Sequence, residues 1–100
     1  MGMGYKKLVK FIWDWGNKEK NWLEHKVSDR ECEEVFFDQD KREYPDPVHS
    51  KKEIRKIVVG KTKKGRLLFV VYTVRGRLIR VISARDLSKG READLYEKAA

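Results

Sequence analysis

Residues 54–85 read IRKIVVGKTKKGRLLFVVYTVRGRLIRVISAR, and this stretch decides the fold. β-Branched and aromatic residues dominate three runs: Ile54 to Lys61, Arg66 to Arg75 and Arg77 to Ala84. Runs of this composition, punctuated by glycine-containing turns, read as strands. The turns are short, Lys63-Lys64-Gly65 and then Arg75-Gly76. Connections that short leave no room for a crossover, so the three strands form an antiparallel meander. Leu67 to Val74 is apolar on both faces, which predicts a central strand covered on both sides.

The same stretch holds ten basic residues and no acidic one: Arg55, Lys56, Lys61, Lys63, Lys64, Arg66, Arg75, Arg77, Arg80 and Arg85. The remainder is close to neutral, so the net charge of +8 resides here. A one-signed field on a rigid sheet attracts polyanions and steers them from a distance. Nucleic-acid contact is therefore the first expectation. The plainer alternative is a solvated sheet whose edges are protected by Lys and Arg.

Outward from the sheet, Leu8 to Trp13 reads as a first strand. Asp14 is placed to cap a helix from Trp15 to about Lys26, on which Trp15 and Trp22 share a face with Leu23 alongside. Ser28 and Glu31 form a capping box for a second helix, whose Cys32, Val35 and Phe36 make a core-facing stripe. Asp38 to Lys52 is a polar connector in which Pro45 and Pro47 exclude helix and favour an extended edge segment. After Arg85, Asp86 or Ser88 caps a last helix through about Lys98, with Leu87, Leu95 and Tyr96 as its buried contacts. The expected class is α+β: a twisted antiparallel sheet with helices packed on one face.

One hundred residues make a single domain, 1–100, with 1–6 expected as a frayed terminus. Cys32 is the only cysteine, so neither an internal disulfide nor a cysteine-based zinc site is available, which fits a reducing cytoplasm. The longest apolar stretch, Leu67 to Val74, falls well short of the ~20 residues a bilayer needs, so no membrane role is expected.

Specific residues sharpen this outline. Phe11-x-Trp13-Asp14 is followed by Asn21-x-x-x-His25-x-Val27-Ser28, Val35-Phe36, Arg55-x-x-x-x-Gly60, Ile79 to Arg85 and finally Tyr96. In order and spacing this series resembles the BrnT-type toxins, the ribonuclease half of type II toxin–antitoxin pairs. The resemblance implies a RelE-like fold, metal-independent endoribonuclease activity without a cofactor, and an RNA substrate. It also implies a cognate ribbon-helix-helix antitoxin that binds DNA and forms a heterotetramer with the toxin. The chain departs from the family pattern in three places. Lys26 stands where a glycine usually ends the helix, Asn17 stands where a lysine is common, and the tail before Tyr96 is about one residue longer. A lysine in a left-handed helix cap costs about 1–2 kcal/mol.

Cleavage of this kind deprotonates the ribose 2′-oxygen, drives it onto phosphorus and protonates the leaving 5′-oxygen. Without a metal, Arg and Lys must neutralise the charge that builds on the phosphoryl oxygens. Arg80 alternates with Leu78 and Ile82 on an apolar face, where its charge needs a phosphate, a carboxylate or an antitoxin contact. Arg55 and Arg85 are the other candidates for the catalytic set, against an edge charge and a pairing with Asp86 or Asp14. Lys61, Lys63, Lys64, Arg66 and Arg75 are candidates for tracking the RNA backbone. His25 has the titration range for proton transfer, but an Asn21–His25 pair or a helix-dipole role explains it equally well. His49 and Tyr72 are weaker candidates. Trp13, Trp15 and Trp22 are expected mainly to dock helices rather than to stack on bases. No metal ligands are expected. A non-catalytic RNA- or DNA-binding module, or an inactive toxin relative, is the alternative function.

Overall fold

The computed structural model describes residues 10–13, 15–46, 53–88 and 91–97. Asp14 and His49, expected as a helix cap and a weak catalytic candidate, lie outside these residues. In chain order the elements are β1 (Lys10–Ile12), α1 (Trp15–His25), α2 (Asp29–Phe36), β2 (Arg42–Pro45), β3 (Arg55–Lys61), β4 (Leu67–Arg75), β5 (Leu78–Asp86) and α3 (Arg91–Glu97). The five strands form one sheet in the order β1-β5-β4-β3-β2.

The meander is present as the turns dictate, with β4 antiparallel to both β3 and β5. Gly76 takes φ +63° at the first position of the two-residue turn between β4 and β5, a conformation open to glycine. The proline-containing connector supplies β2 as an edge strand on β3. At the other edge β1 runs parallel to β5, so the sheet is mixed rather than wholly antiparallel. This pairing joins segments separated by the rest of the sheet and two helices, and no local turn signals it.

Val27, Cys32, Val35 and Phe36 pack on one face of the sheet against Val58, Leu68, Val70, Tyr72, Ile79, Val81 and Ala84. Phe36 meets Tyr72 edge-on at 4.9 Å and Phe11 at 5.3 Å. The Ser28–Glu31 capping box forms, with both reciprocal hydrogen bonds. Desolvation in this core pushes the Cys32 thiol up to about 12, where a thiolate nucleophile is not accessible at neutral pH.

Two expectations about the helices are corrected. Trp15, Trp22 and Leu23 are 74, 50 and 63 % exposed, so they do not dock α1. The buried Asn21 docks it instead, accepting the Ala84 N–H at 3.1 Å where β5 has outrun β1. Trp13 packs against the core and donates its indole N–H to Glu33 at 2.8 Å. The helices are also not all on one face. Register puts Tyr44 level with Ile57, on the side away from α1 and α2, and the Tyr44 hydroxyl donates to the Leu95 carbonyl at 2.5 Å. Lys61 lies over the Tyr96 ring from that same side, and Val59 beneath is fully buried. Helix α3 thus covers one margin of the second face, and among the described residues no other helix lies on it.

Candidate nucleic-acid interface

Strict alternation along β5 would put Arg80 and Arg85 on opposite faces, because they stand five positions apart. The register shows otherwise. Val71 pairs with Ser83, yet its neighbour Tyr72 pairs with Val81, so Ile82 is an extra residue, a β-bulge. Beyond the bulge the phase reverses. Arg80 pairs with Thr73 and Arg85 with Phe69, so both arginines belong to the open face, while Val81 and Ala84 stay in the core.

Reading across the strands gives rows of side chains on that face. Arg55, Thr73, Arg80 and Ile12 form one row, on β3, β4, β5 and β1. Tyr44, Ile57, Val71 and Ser83 form the next, and Arg42, Val59, Phe69 and Arg85 the one beyond. The face therefore has an apolar middle with arginines at two ends. Arg55 and Arg80 flank Thr73, so their Cα atoms stand about 10 Å apart, two strand spacings. Their side chains are long enough to converge on one phosphate-sized group between them.

Among the described residues two acids lie at this end: Asp46, whose N–H donates to the Arg55 carbonyl at 3.1 Å, and Glu53. The Glu53 carboxylate accepts from Arg75 through Nε and Nη2, both at 3.2 Å, and lies 3.9 Å from Arg80 Nη1. The Arg75 hydrogen bonds, followed by the charges of Arg75, Arg80 and Arg55, hold this carboxyl below its usual range. Thr73 fixes the backbone beside it: the buried hydroxyl donates to the Ile54 carbonyl at 2.9 Å. Sequence reasoning missed Glu53 because it sits one residue before the acid-free stretch begins. The signal that finds it is the Glu53-x-Arg55 spacing, which places acid and base together where β3 starts.

The other candidates lie elsewhere. Arg85 sits at the opposite end of the open face, its guanidinium 4.2 Å above the Phe69 ring and donating to the Asp86 carbonyl. Lys61, Lys63 and Lys64 are exposed around the β3–β4 turn near that end. Their backbone is held by acids: Lys61 N–H donates to Asp38 at 2.8 Å and Lys63 N–H to Glu34 at 3.0 Å.

Arg66, expected beside those lysines as an RNA contact, is instead engaged within the fold. It donates to Asp86 at 2.6 and 3.1 Å, to the carbonyls of His25 and Lys26 at 2.9 and 2.8 Å, and to Glu31 at 3.2 and 3.3 Å. Those two carbonyls are the orphan acceptors at the end of α1. Lys26 takes φ +54°, so the helix ends in the left-handed conformation a glycine would adopt, with a lysine in its place. His25 lies on the helix side of the sheet, its Nε2 3.6 Å from Glu24. The fold does not bring it to Arg55 and Arg80. Tyr72 faces the core, where burial raises its phenol above the ordinary value. Among the described residues, no group of three or more His, Cys, Asp or Glu side chains is arranged to hold a metal ion. Among them also, no helix is long and apolar enough to cross a membrane.

The solved ribonuclease toxin BrnT of Brucella abortus has a similar fold, with a TM-score of 0.62 at 21 % identity. That match covers 81 % of this chain and 99 % of the Brucella chain. No curated protein matches the sequence. The sequence pattern of one family, described as the ribonuclease toxin BrnT of type II toxin–antitoxin systems, matches residues 13–90. With more than three-quarters of its length inside that match, from Trp13 through β5, the chain belongs to the BrnT family of ribonuclease toxins.

Proposed function

We propose that this toxin cleaves RNA without a metal ion, using the ribose 2′-oxygen as nucleophile and the Arg55–Arg80 end of the open face to hold the scissile phosphate. The carrying observation is the row in which Arg55 and Arg80 flank Thr73 on a face the helices leave open. Two guanidinium groups there take the phosphoryl oxygens bidentately and neutralise the charge that grows as the 2′-oxygen bonds to phosphorus. Arg85, on its Phe69 platform, holds the chain at the far end of the face. Lys61, Lys63 and Lys64 attract the backbone beyond it. Arg75 acts through Glu53, and Arg66 and His25 have no contact with substrate.

The antitoxin is a ribbon-helix-helix protein whose acidic or apolar segment covers this face, and its dimerisation gives a two-plus-two complex. Its expected footprint is the apolar middle, Ile57, Val71 and Phe69, with the arginines around it.

Arg80→Ala should lower the cleavage rate by about 10²–10³-fold, the usual loss for one preorganised charge contact. Its circular dichroism should remain that of the wild type. EDTA should leave cleavage intact, and an oligonucleotide carrying 2′-deoxyribose at the cut site should survive. Strict Mg²⁺ dependence, or cutting of the deoxy substrate, would overturn the mechanism.

A further inference from the structure

The geometry points to Glu53 as the general base that takes the proton from the ribose 2′-hydroxyl, an assignment that rests on the metal-free reading above. Its carboxylate lies 3.9 Å from the Arg80 guanidinium, at the same end of the open face as Arg55. A phosphate between Arg55 and Arg80 therefore brings its own ribose within reach of the Glu53 oxygens. The oxygens are positioned independently of substrate. Arg75 grips them at 3.2 and 3.2 Å, and Thr73 anchors the adjoining Ile54 carbonyl.

The step balances simply. Glu53 accepts the 2′-proton, the 2′-oxygen forms a bond to phosphorus, and the bond from phosphorus to the 5′-oxygen breaks. The leaving oxygen takes a proton from solvent. The products are a 2′,3′-cyclic phosphate and a free 5′-hydroxyl, and Glu53 then returns its proton to water. Among the described residues, the charged groups that act on Glu53 are Arg75 on β4, Arg80 on β5 and Arg55 on β3, all cationic, and together they keep the carboxylate ionised. Such a base is weak in proton affinity but fully available at neutral pH. Its availability falls only in acid, below the ordinary glutamate value of about 4.3.

A purely structural Glu53 would do no more than tie Arg75 to Arg80. The two roles separate by pH profile and by binding measured apart from chemistry. The test uses the purified chain with an RNA oligonucleotide and its uncleavable 2′-deoxy counterpart. Glu53→Gln keeps the size and an acceptor for Arg75, and should lower kcat at pH 7 by about 10²–10⁴-fold. Its affinity for the deoxy oligonucleotide should equal or exceed that of the wild type, since a negative charge has left the site. In the wild type, kcat/KM should fall in acid with a midpoint below the ordinary glutamate range. Arg75→Gln should move that midpoint to higher pH by removing the strongest partner of the carboxylate. An active Glu53→Gln with wild-type kcat, or an Arg75→Gln acid limb that stays in place, would overturn the assignment to Glu53. A wild-type chain that leaves RNA intact would overturn the cleavage reading itself.

Discussion

Arg66, just before β4, and Arg80, on β5, carry the same side chain in different surroundings. Arg66 makes contacts with α1, α2 and β5 at once. Asp86 is held below its usual range first by its hydrogen bonds to Arg66. For Glu31, burial pushes upward, but the Ser28 backbone bond and Arg66 outweigh it and the net direction is also down. A carboxyl depressed on folding adds stability above its unfolded value of about 4, and that stability is lost as pH falls through the folded value. The protein should therefore lose melting temperature between about pH 5 and pH 3. Arg66→Ala should have a lower melting temperature at neutral pH and a shallower acid dependence. An identical acid slope in wild type and variant would contradict the clasp. None of this was legible in the sequence, because the partners of Arg66 lie 20 to 41 residues away. By contrast, the Ser28–Glu31 capping box spans three residues and could be read directly.

Among the elements, those legible from sequence are those whose signals are short-range. The stripe Cys32, Val35 and Phe36 fixed the buried side of α2, and two short turns fixed the meander. The first strand was legible, but its parallel pairing with β5 was not, since that partner lies far along the chain. Nor was the bulge, because Ile79-Arg80-Val81-Ile82-Ser83-Ala84 reads as uninterrupted strand. Helix α1 misled for another reason. Two tryptophans seven apart mimic a buried stripe, yet the buried Asn21 secures the helix to β5. Where α2 crosses β3, Gly60 permits the close approach. A Cβ on it would stand 2.8 Å from Val35 Cγ1 and 3.1 Å from the Val35 carbonyl oxygen. Gly60→Ala should therefore destabilise the protein by about 1–3 kcal/mol, as overpacking does. Thermal melting checks this, and an unchanged midpoint would show that α2 can shift without cost.

At the scale of the whole molecule, the charge segregation seen in the sequence becomes a face with two cationic ends. Arg55, Arg75 and Arg80 stand at one end, and Arg85 with the lysines of the β3–β4 turn at the other. Sequence named all of these residues but could not divide them, since the division depends on which turn each strand end meets. The far end should act on affinity and the near end on rate. Neutralising Lys61, Lys63 and Lys64 together should weaken RNA binding and flatten its dependence on salt, through fewer counterions released. Their triple replacement should leave the single-turnover rate on bound RNA close to wild type. RNA affinity that stayed constant from low to physiological salt would sink the electrostatic account.

The extra residue in β5 also governs how a chain like this can change over generations. Were Ile82 drawn into the ladder with no residue lost, the register would slip by one and every later side chain would swap faces. Arg85 would then press into the core where Ala84 now fits, and Ala84 would replace it against the Phe69 ring. A substitution that flattened the bulge would therefore disturb the whole downstream half of the strand, whereas loss of Ile82 itself would restore plain alternation and leave Arg85 against Phe69. Lineages that keep both arginines on one face thus have two solutions between Arg80 and Arg85, five positions with the bulge or four without it.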